Sequence, residues 1–452
     1  MRRAHALIME LSGPRTKLLT TYRLLTKPGE YFPQWKAQYG DPFLINAVNG
    51  RIVLTGRPEL IKQIFAADPS HYDPFGVDAI APLLGSESLL LMKGDAHRAE
   101  RKLLMPPFHG KRMRAYADIM RDAARNHIAA ACGEPVKFAE VTQALTLEVI
   151  LRAVFGVVDQ ATLDHFSKTI VSVLDAVHPS FMFAPFLQRE FGGLGPFAKF
   201  RRAFEALEAT MDAHLERVRA SDEQGEDILS MMLEARYDDG SAMSDTHIKD
   251  ELRTIVTAGH ETTALALAWA ADLVHRHPDV AAGIRADVDA LGPEASAIDI
   301  AKLESVENAV KETLRVRPIL TEALRTLRKP LKLGDLEIPA GHTVAAVVTL
   351  VHGDPDIYPD PEAFKPERFS ERSYKPTEYL PYGGGHRRCI GAAFADFELR
   401  IALATLVAEF DVELLDESPP KPVRRNITMA PDTGVNVRLR PRKTSDSTAR
   451  AS

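Results

Sequence analysis

The chain has 452 residues, a hydrophobic fraction of 45%, a charged fraction of 26% and a net charge of -6. That acidic balance argues against nucleic-acid binding, which usually comes with a basic chain. Its two cysteines, Cys132 and Cys389, do not amount to a disulfide framework and fit a reducing cytoplasm.

Met1, Arg2 and Arg3 precede a short apolar stretch from Ala6 to Leu11, broken by Glu10. It is too short to span a bilayer and no small-residue cleavage site follows, so a cytoplasmic, unanchored protein is expected. Residues 1–40 read as an N-terminal segment ahead of one large domain over 41–440. No linker, repeat or block of like charges marks a seam inside it. Pro42 to Thr55 alternates as strands do, with Asn49-Gly50 as a hairpin signal. Apolar periodicity then predicts helices over 97–104, 112–131, 140–154, 161–176, 197–219, 244–275, 279–290, 303–316 and 390–409. Short β pieces are expected at 323–348, 411–415 and 427–439, and a disordered polar tail over 441–452. The fold class is mainly α with a minor β region.

The helix over 244–275 would span roughly 48 Å. Its apolar residues cover more than one face, so it should run through the core. Yet its middle reads Ala258-Gly259-His260-Glu261-Thr262-Thr263. A mid-helix glycine costs about 1 kcal/mol relative to alanine. Threonines can bond back onto carbonyls and bend the helix, and a buried carboxylate is costly. Such local conflicts, grouped in one core turn, mark a candidate functional site.

Residues Tyr382 to Gly391 form the second unusual segment, with three glycines, His386, Arg387 and Arg388 ahead of Cys389. The glycines are expected to leave backbone N–H groups free to approach a ligand. A helix pattern follows the cysteine, and a helix N-terminus with two arginines favours a thiolate. These features alone leave two roles open: a metal ligand, or a nucleophile with His386 as its base.

The segment Tyr382 to Gly391 resembles the haem-binding loop of the cytochrome P-450 superfamily, Phe-x-x-Gly-x-Arg-x-Cys-x-Gly. It departs from that pattern in one place, with Tyr382 where the family has Phe. The resemblance implies the P-450 fold, haem b (iron protoporphyrin IX) as cofactor, and Cys389 as its axial ligand, flanked by Tyr382 and Gly391. Ala258-Gly259-x-Glu261-Thr262 is similar to the family's oxygen-binding groove. By that likeness Glu261 and Thr262 are an acid–alcohol pair for proton delivery, and Gly259 makes room for oxygen. His97-x-x-x-Arg101, Arg325 and Arg387 match the family's haem-propionate anchors. Glu312-x-x-Arg315 with Arg368 resembles a structural charge cluster. His352, Asp354, Tyr358 and Pro359 match a connecting stretch without chemistry.

The likeness runs from about Asp41 to Arg440 and looks like soluble bacterial members. It implies a monooxygenase that hydroxylates or epoxidises a lipophilic small molecule with O2. Electrons would come from a separate ferredoxin or flavodoxin and its reductase, since no flavin domain follows. The protein is expected to be a monomer with no membrane anchor. Arg98, Lys102, Lys111, Arg112, Arg114 and Arg388 are candidate docking residues for the donor. The alternative readings are a haem-thiolate gas sensor and a peroxide-driven peroxygenase. Phe75, Ile80, Leu83, Leu84, Leu89, Phe181, Met182, Phe183 and Phe186 are expected around the substrate. Glu322 either recognises a polar or cationic substrate group or faces away into a salt bridge.

Overall fold

The computed structural model describes residues 11–76, 79–108, 112–177, 188–189, 192–193, 195–221 and 225–442. The helix at its centre runs without interruption from Asp245 to Arg276. Ser244 caps it by accepting a hydrogen bond from the His247 N–H, and Asp245 suits the positive end of the helix dipole. It stops at His277, where Pro278 opens the next helix. Leu252, Val256, Leu267, Trp269 and Val274 are buried on several sides of it.

Helices Phe138–Ala153, Ala392–Glu409 and Glu304–Val316 pack around this axis, and Arg112–Ala130 packs on the first two. Two residues of the first also bond to its backbone. Thr146 donates to the His260 carbonyl at 3.1 Å and Thr142 to the Ala264 carbonyl at 2.9 Å. A side-chain donor on a helix carbonyl competes with the ladder, and here both flank the Glu261-Thr262 turn.

All nine predicted helices are present, with ends shifted by a few residues. Others were not foreseen, the longest among the described residues being Lys17–Thr26, Pro28–Tyr39, Pro58–Ala66 and Ile228–Glu234. Pro28–Tyr39 brings Phe32 and Trp35 against Phe43 in a small aromatic core of their own.

The largest sheet orders its strands as Phe43–Ala47, Gly50–Thr55, Thr343–Val347, Glu322–Leu327 and Tyr72–Pro74. Its first hairpin pairs Ala47 with Gly50, so the two-residue loop is Val48-Asn49, one step before the expected Asn49-Gly50. Arg325 pairs with Pro74 in the register, which sets its side chain diagonally across from Tyr72. A three-stranded sheet of Val136–Lys137, Asn436–Pro441 and Phe410–Leu414 closes the chain. The expected disordered tail therefore does not include Pro441 and Arg442. Pro441 ends a strand and Arg442 pairs with Asp289 at 2.7 Å, while residues 443–452 lie outside the described ones. Among the described residues no helix is long and apolar enough to cross a membrane.

Candidate active site

Cys389 lies just ahead of helix Ala392–Glu409, whose N-cap is Gly391. The loop is tied by its own backbone: the Cys389 N–H donates to the Tyr382 carbonyl at 3.0 Å, and the Arg388 N–H to the Gly385 carbonyl at 3.1 Å. Two of the three glycines, Gly384 and Gly385, serve packing. A Cβ on Gly384 would stand 2.2 Å from the Phe65 ring, and one on Gly385 would stand 2.2 Å from the Phe65 carbonyl oxygen. Gly385 also has φ +67°, a left-handed conformation that L side chains resist. The loop thus rests on helix Pro58–Ala66.

The cysteine sits deep in the protein, yet its side chain opens onto accessible space. Burial raises its thiol pKa, and the Gly391 N–H with Arg101 and Arg388 only partly opposes this. Arg388 favours the thiolate as expected, with Arg101 beside it in place of Arg387. These groups alone do not hold the anion, and a metal ion would supply the missing positive charge.

The four residues expected to anchor propionates come together as an excess of cations. His97 is buried, and burial followed by the charges of Arg387, Arg101 and Arg325 lowers its pKa to about 3. Arg387 is lowered to about 10 by burial and by Arg325. Burial also lowers Arg101 and Arg325. Arg325 stacks over Tyr72 at 5.3 Å and donates to the Leu324 and Gly384 carbonyls. Arg387 donates to the carbonyls of Leu89, Leu90 and Met92. Among the described residues no carboxylate pairs with any of the four. Asp73 eases the charge of Arg387 but its ion pairs are with Lys93 and Arg328. Buried guanidinium groups without a counter-ion form a site for an anion. The two propionates of a haem fit that demand, and the open thiol nearby fits its iron.

On the central helix, Ala258 is exposed although nearly all its neighbours are buried or half-buried. The middle of the helix therefore borders open space. Thr262 donates to the Ala258 carbonyl at 2.7 Å. Glu261 faces the hairpin Pro422–Arg425/Thr428–Pro431, 3.9 Å from Arg425 and 3.5 Å from the Thr428 hydroxyl. Burial raises its pKa, which Arg425 and Thr428 only partly offset. Gly259 does not face the space beside Ala258. A Cβ there would meet the Ile150 side chain at 3.3 Å, so this glycine accommodates the neighbouring helix. His260 is buried and bonds to the Gln143 carbonyl at 3.0 Å.

Glu312 accepts two bonds from Arg315 at 2.7 Å and one from Arg368 at 3.0 Å, with all three buried. Arg315 reaches the His352 and Pro361 carbonyls, and His352 accepts from the Leu380 N–H at 2.9 Å. The predicted cluster is present, and the connecting stretch is bonded into it.

Other expectations change. Glu322 is paired with Arg424 at 2.9 Å, both largely buried, so its charge is already answered within the chain. Leu83 lines a small apolar cavity of about 20 Å³ with Phe155, Ile170, Val173, Leu207 and Val256. Leu84 and Leu89 are buried core and Phe75 belongs to the aromatic core near Trp35. Phe181, Met182, Phe183 and Phe186 lie outside the described residues, as does Lys111. Arg98 and Lys102 are ion-paired with Asp95 and Asp238, whereas Arg112, Arg114 and Arg388 are exposed. Tyr382 keeps an aromatic ring in the loop, but its hydroxyl is buried without a partner among the described residues. Phe65, Tyr72, Arg425 and Thr428 were not singled out from sequence, and their own local context carries no sign of these contacts.

A family model described as Cytochrome P450 matches residues 13–436. The relative designated cytochrome P450 138, from Mycobacterium bovis, is 33% identical over 416 residues, covering 90% of each chain. Cytochrome P450 135B1 from the same organism is 32% identical, covering 97% of this chain and 93% of its own. A solved structure described as retinoic acid bound cyanobacterial CYP120A1 shares the fold with TM-score 0.81 at 24% identity, over 93% of this chain and 96% of that one. The cytochrome P450DA heme domain gives TM-score 0.83 at 22% identity, over 96% and 98%.

Proposed function

The chain belongs to the cytochrome P450 family of haem-dependent monooxygenases, and from that premise we propose a specific role for each residue of the site. Cys389 would ligate the iron of protoporphyrin IX. His97, Arg101, Arg325 and Arg387 hold the propionates. When bound, the haem supplies activation of O2 and transfer of one oxygen atom to the substrate, with electrons from a separate redox partner. The observation that carries this reading is the cluster of four cationic or potentially cationic groups, His97 and Arg325 buried and Arg101 and Arg387 half-buried, with no paired carboxylate among the described residues.

Glu261 and Thr262 deliver protons. A carboxyl whose pKa is raised by burial holds its proton more readily than an exposed one and can pass it on. Thr262 donates its own proton to the Ala258 carbonyl, which leaves its oxygen free to accept one from water. The substrate is a lipophilic small molecule, a reading that rests on the family match, since the apolar cavity beside Leu83 at about 20 Å³ is too small to hold one. The donor is a ferredoxin or flavodoxin docking at Arg112, Arg114 and Arg388. The protein works as a cytoplasmic monomer.

The visible spectrum of the reduced, CO-bound protein tests the ligand. A strongly red-shifted Soret band is expected in the wild type and is lost in Cys389→Ser. A wild type without that band refutes the assignment. Thr262→Ala is expected to lower product formed per electron consumed with haem content unchanged. Unchanged coupling in that variant removes Thr262 from proton delivery.

A further inference from the structure

Glu100, His247 and Glu251 meet in a cluster that includes none of the residues assigned to the haem. His247 and Glu251 are one helical turn apart on the central helix, and Glu100 comes from helix Gly94–Leu104. One ligand atom from each lies within 4.8 Å of the other two. Glu100 and Glu251 are each only 1% exposed. Among the described residues neither is paired with a lysine or arginine. Burial, and then the charge of Glu100, pushes the Glu251 carboxyl up to about 9. Two buried carboxylates side by side require added positive charge.

The hydrogen bonds say where that charge is missing. The Tyr237 hydroxyl donates to Glu100 Oε2 at 2.8 Å and lies 3.2 Å from His247 Nδ1. Having given its one proton to Glu100, it accepts from Nδ1–H. That tautomer leaves a lone pair on His247 Nε2. Nε2 stands 3.3 Å from Glu100 Oε1, yet neither atom has a hydrogen-bond partner. In the neutral ring two lone-pair atoms face one another across this gap; in the imidazolium the same atoms form an ion pair, toward which Glu100 raises the His247 pKa. The gap matches the edge of a tetrahedron with ligands about 2.0–2.1 Å from a central zinc, which is about 3.3–3.4 Å.

We propose that Glu100, His247 and Glu251 bind one divalent transition-metal cation of the zinc type, separate from the haem iron. Their outer contacts are already in place. Tyr237 orients both Glu100 and His247, and the Leu89 N–H donates to Glu251 at 2.6 Å. His247 is partly exposed, which opens a route in. The ion would clamp the helix carrying His97 and Arg101 to the central helix.

The test uses untagged, haem-loaded, full-length protein, dialysed against zinc, desalted and measured for zinc and iron by mass spectrometry. One zinc ion per chain beyond the haem iron is expected. A chelator titration is expected to show at least about 10-fold weaker binding in both Glu251→Gln and His247→Gln, with the CO spectrum unchanged. The amide in Glu251→Gln retains an oxygen for the Leu89 N–H, so this variant carries the test if the other fails to fold. Absence of stoichiometric zinc in the wild type overturns the proposal. Equal zinc affinity in the wild type and Glu251→Gln overturns it as well, and leaves a proton-sharing cluster in its place.

Discussion

Two buried charge clusters lie within the same protein and behave in opposite ways. Around Glu312 the chain answers its own charges, with a carboxylate between two arginines and carbonyls taking the remaining donors. Around His97 it does not: burial lowers the pKa of every member, and the neighbouring arginines lower His97 and Arg387 further. The first arrangement is complete in the polypeptide alone. The second is complete only with an added anion. The contrast separates a cluster that maintains the fold from one that waits for a ligand, even though both were found by matching short motifs.

The largest effect that would break this contrast is expected at Glu312. Glu312→Gln leaves Arg315 and Arg368 buried without their shared counter-charge, and should cost about 3–5 kcal/mol of stability. Urea unfolding of the haem-free protein checks this; a loss under about 1 kcal/mol would make the cluster dispensable. Arg325→Gln should do the reverse. It relieves repulsion, so the haem-free protein should unfold at the same or higher urea concentration. Haem transfer to an acceptor protein should reveal about 10–100-fold weaker retention, the value of a charge-assisted hydrogen bond of about 1.5–3 kcal/mol. A destabilised haem-free Arg325→Gln protein would place this arginine with the structural cluster.

The smallest effect is a pH slope. Burial, with Arg315 adding to it, lowers the His352 pKa to about 3. The unfolded side chain gains its proton below about 6.5, while the folded one does not until about 3. Its contribution is intact above that window and is lost as pH falls through it, by about 1.4 kcal/mol per pH unit. His352→Gln has no proton to gain, so its unfolding midpoint should vary less between about pH 6.5 and 4.5. Equal slopes in the two proteins would assign the acid sensitivity elsewhere.

Long periodic segments were legible because one apolar stripe repeats over many turns. The missed helices are mostly short or carry prolines. Pro28 and Pro33 both lie in Pro28–Tyr39, where Pro28 begins the helix and Pro33 is tolerated inside it. In the site, residue types could be read from motifs but their partners could not. Glu261 meets Thr428 and Arg425 from a hairpin far along the chain, and Glu322 meets Arg424 beside them. Gly259 was assigned to oxygen, but Ile150 occupies the direction its side chain would take. Periodicity reports which face of an element is covered, not which residue covers it.

Phe65 sets different rules of substitution for two adjacent glycines. The clash at position 384 is with the Phe65 ring, so alanine there becomes feasible once residue 65 is made small. The clash at position 385 is with the Phe65 backbone oxygen, which every residue type possesses. In any lineage descended from this chain, positions 65 and 384 are thus free to drift as a compensating pair. Position 385 can change only if the path of helix Pro58–Ala66 changes with it.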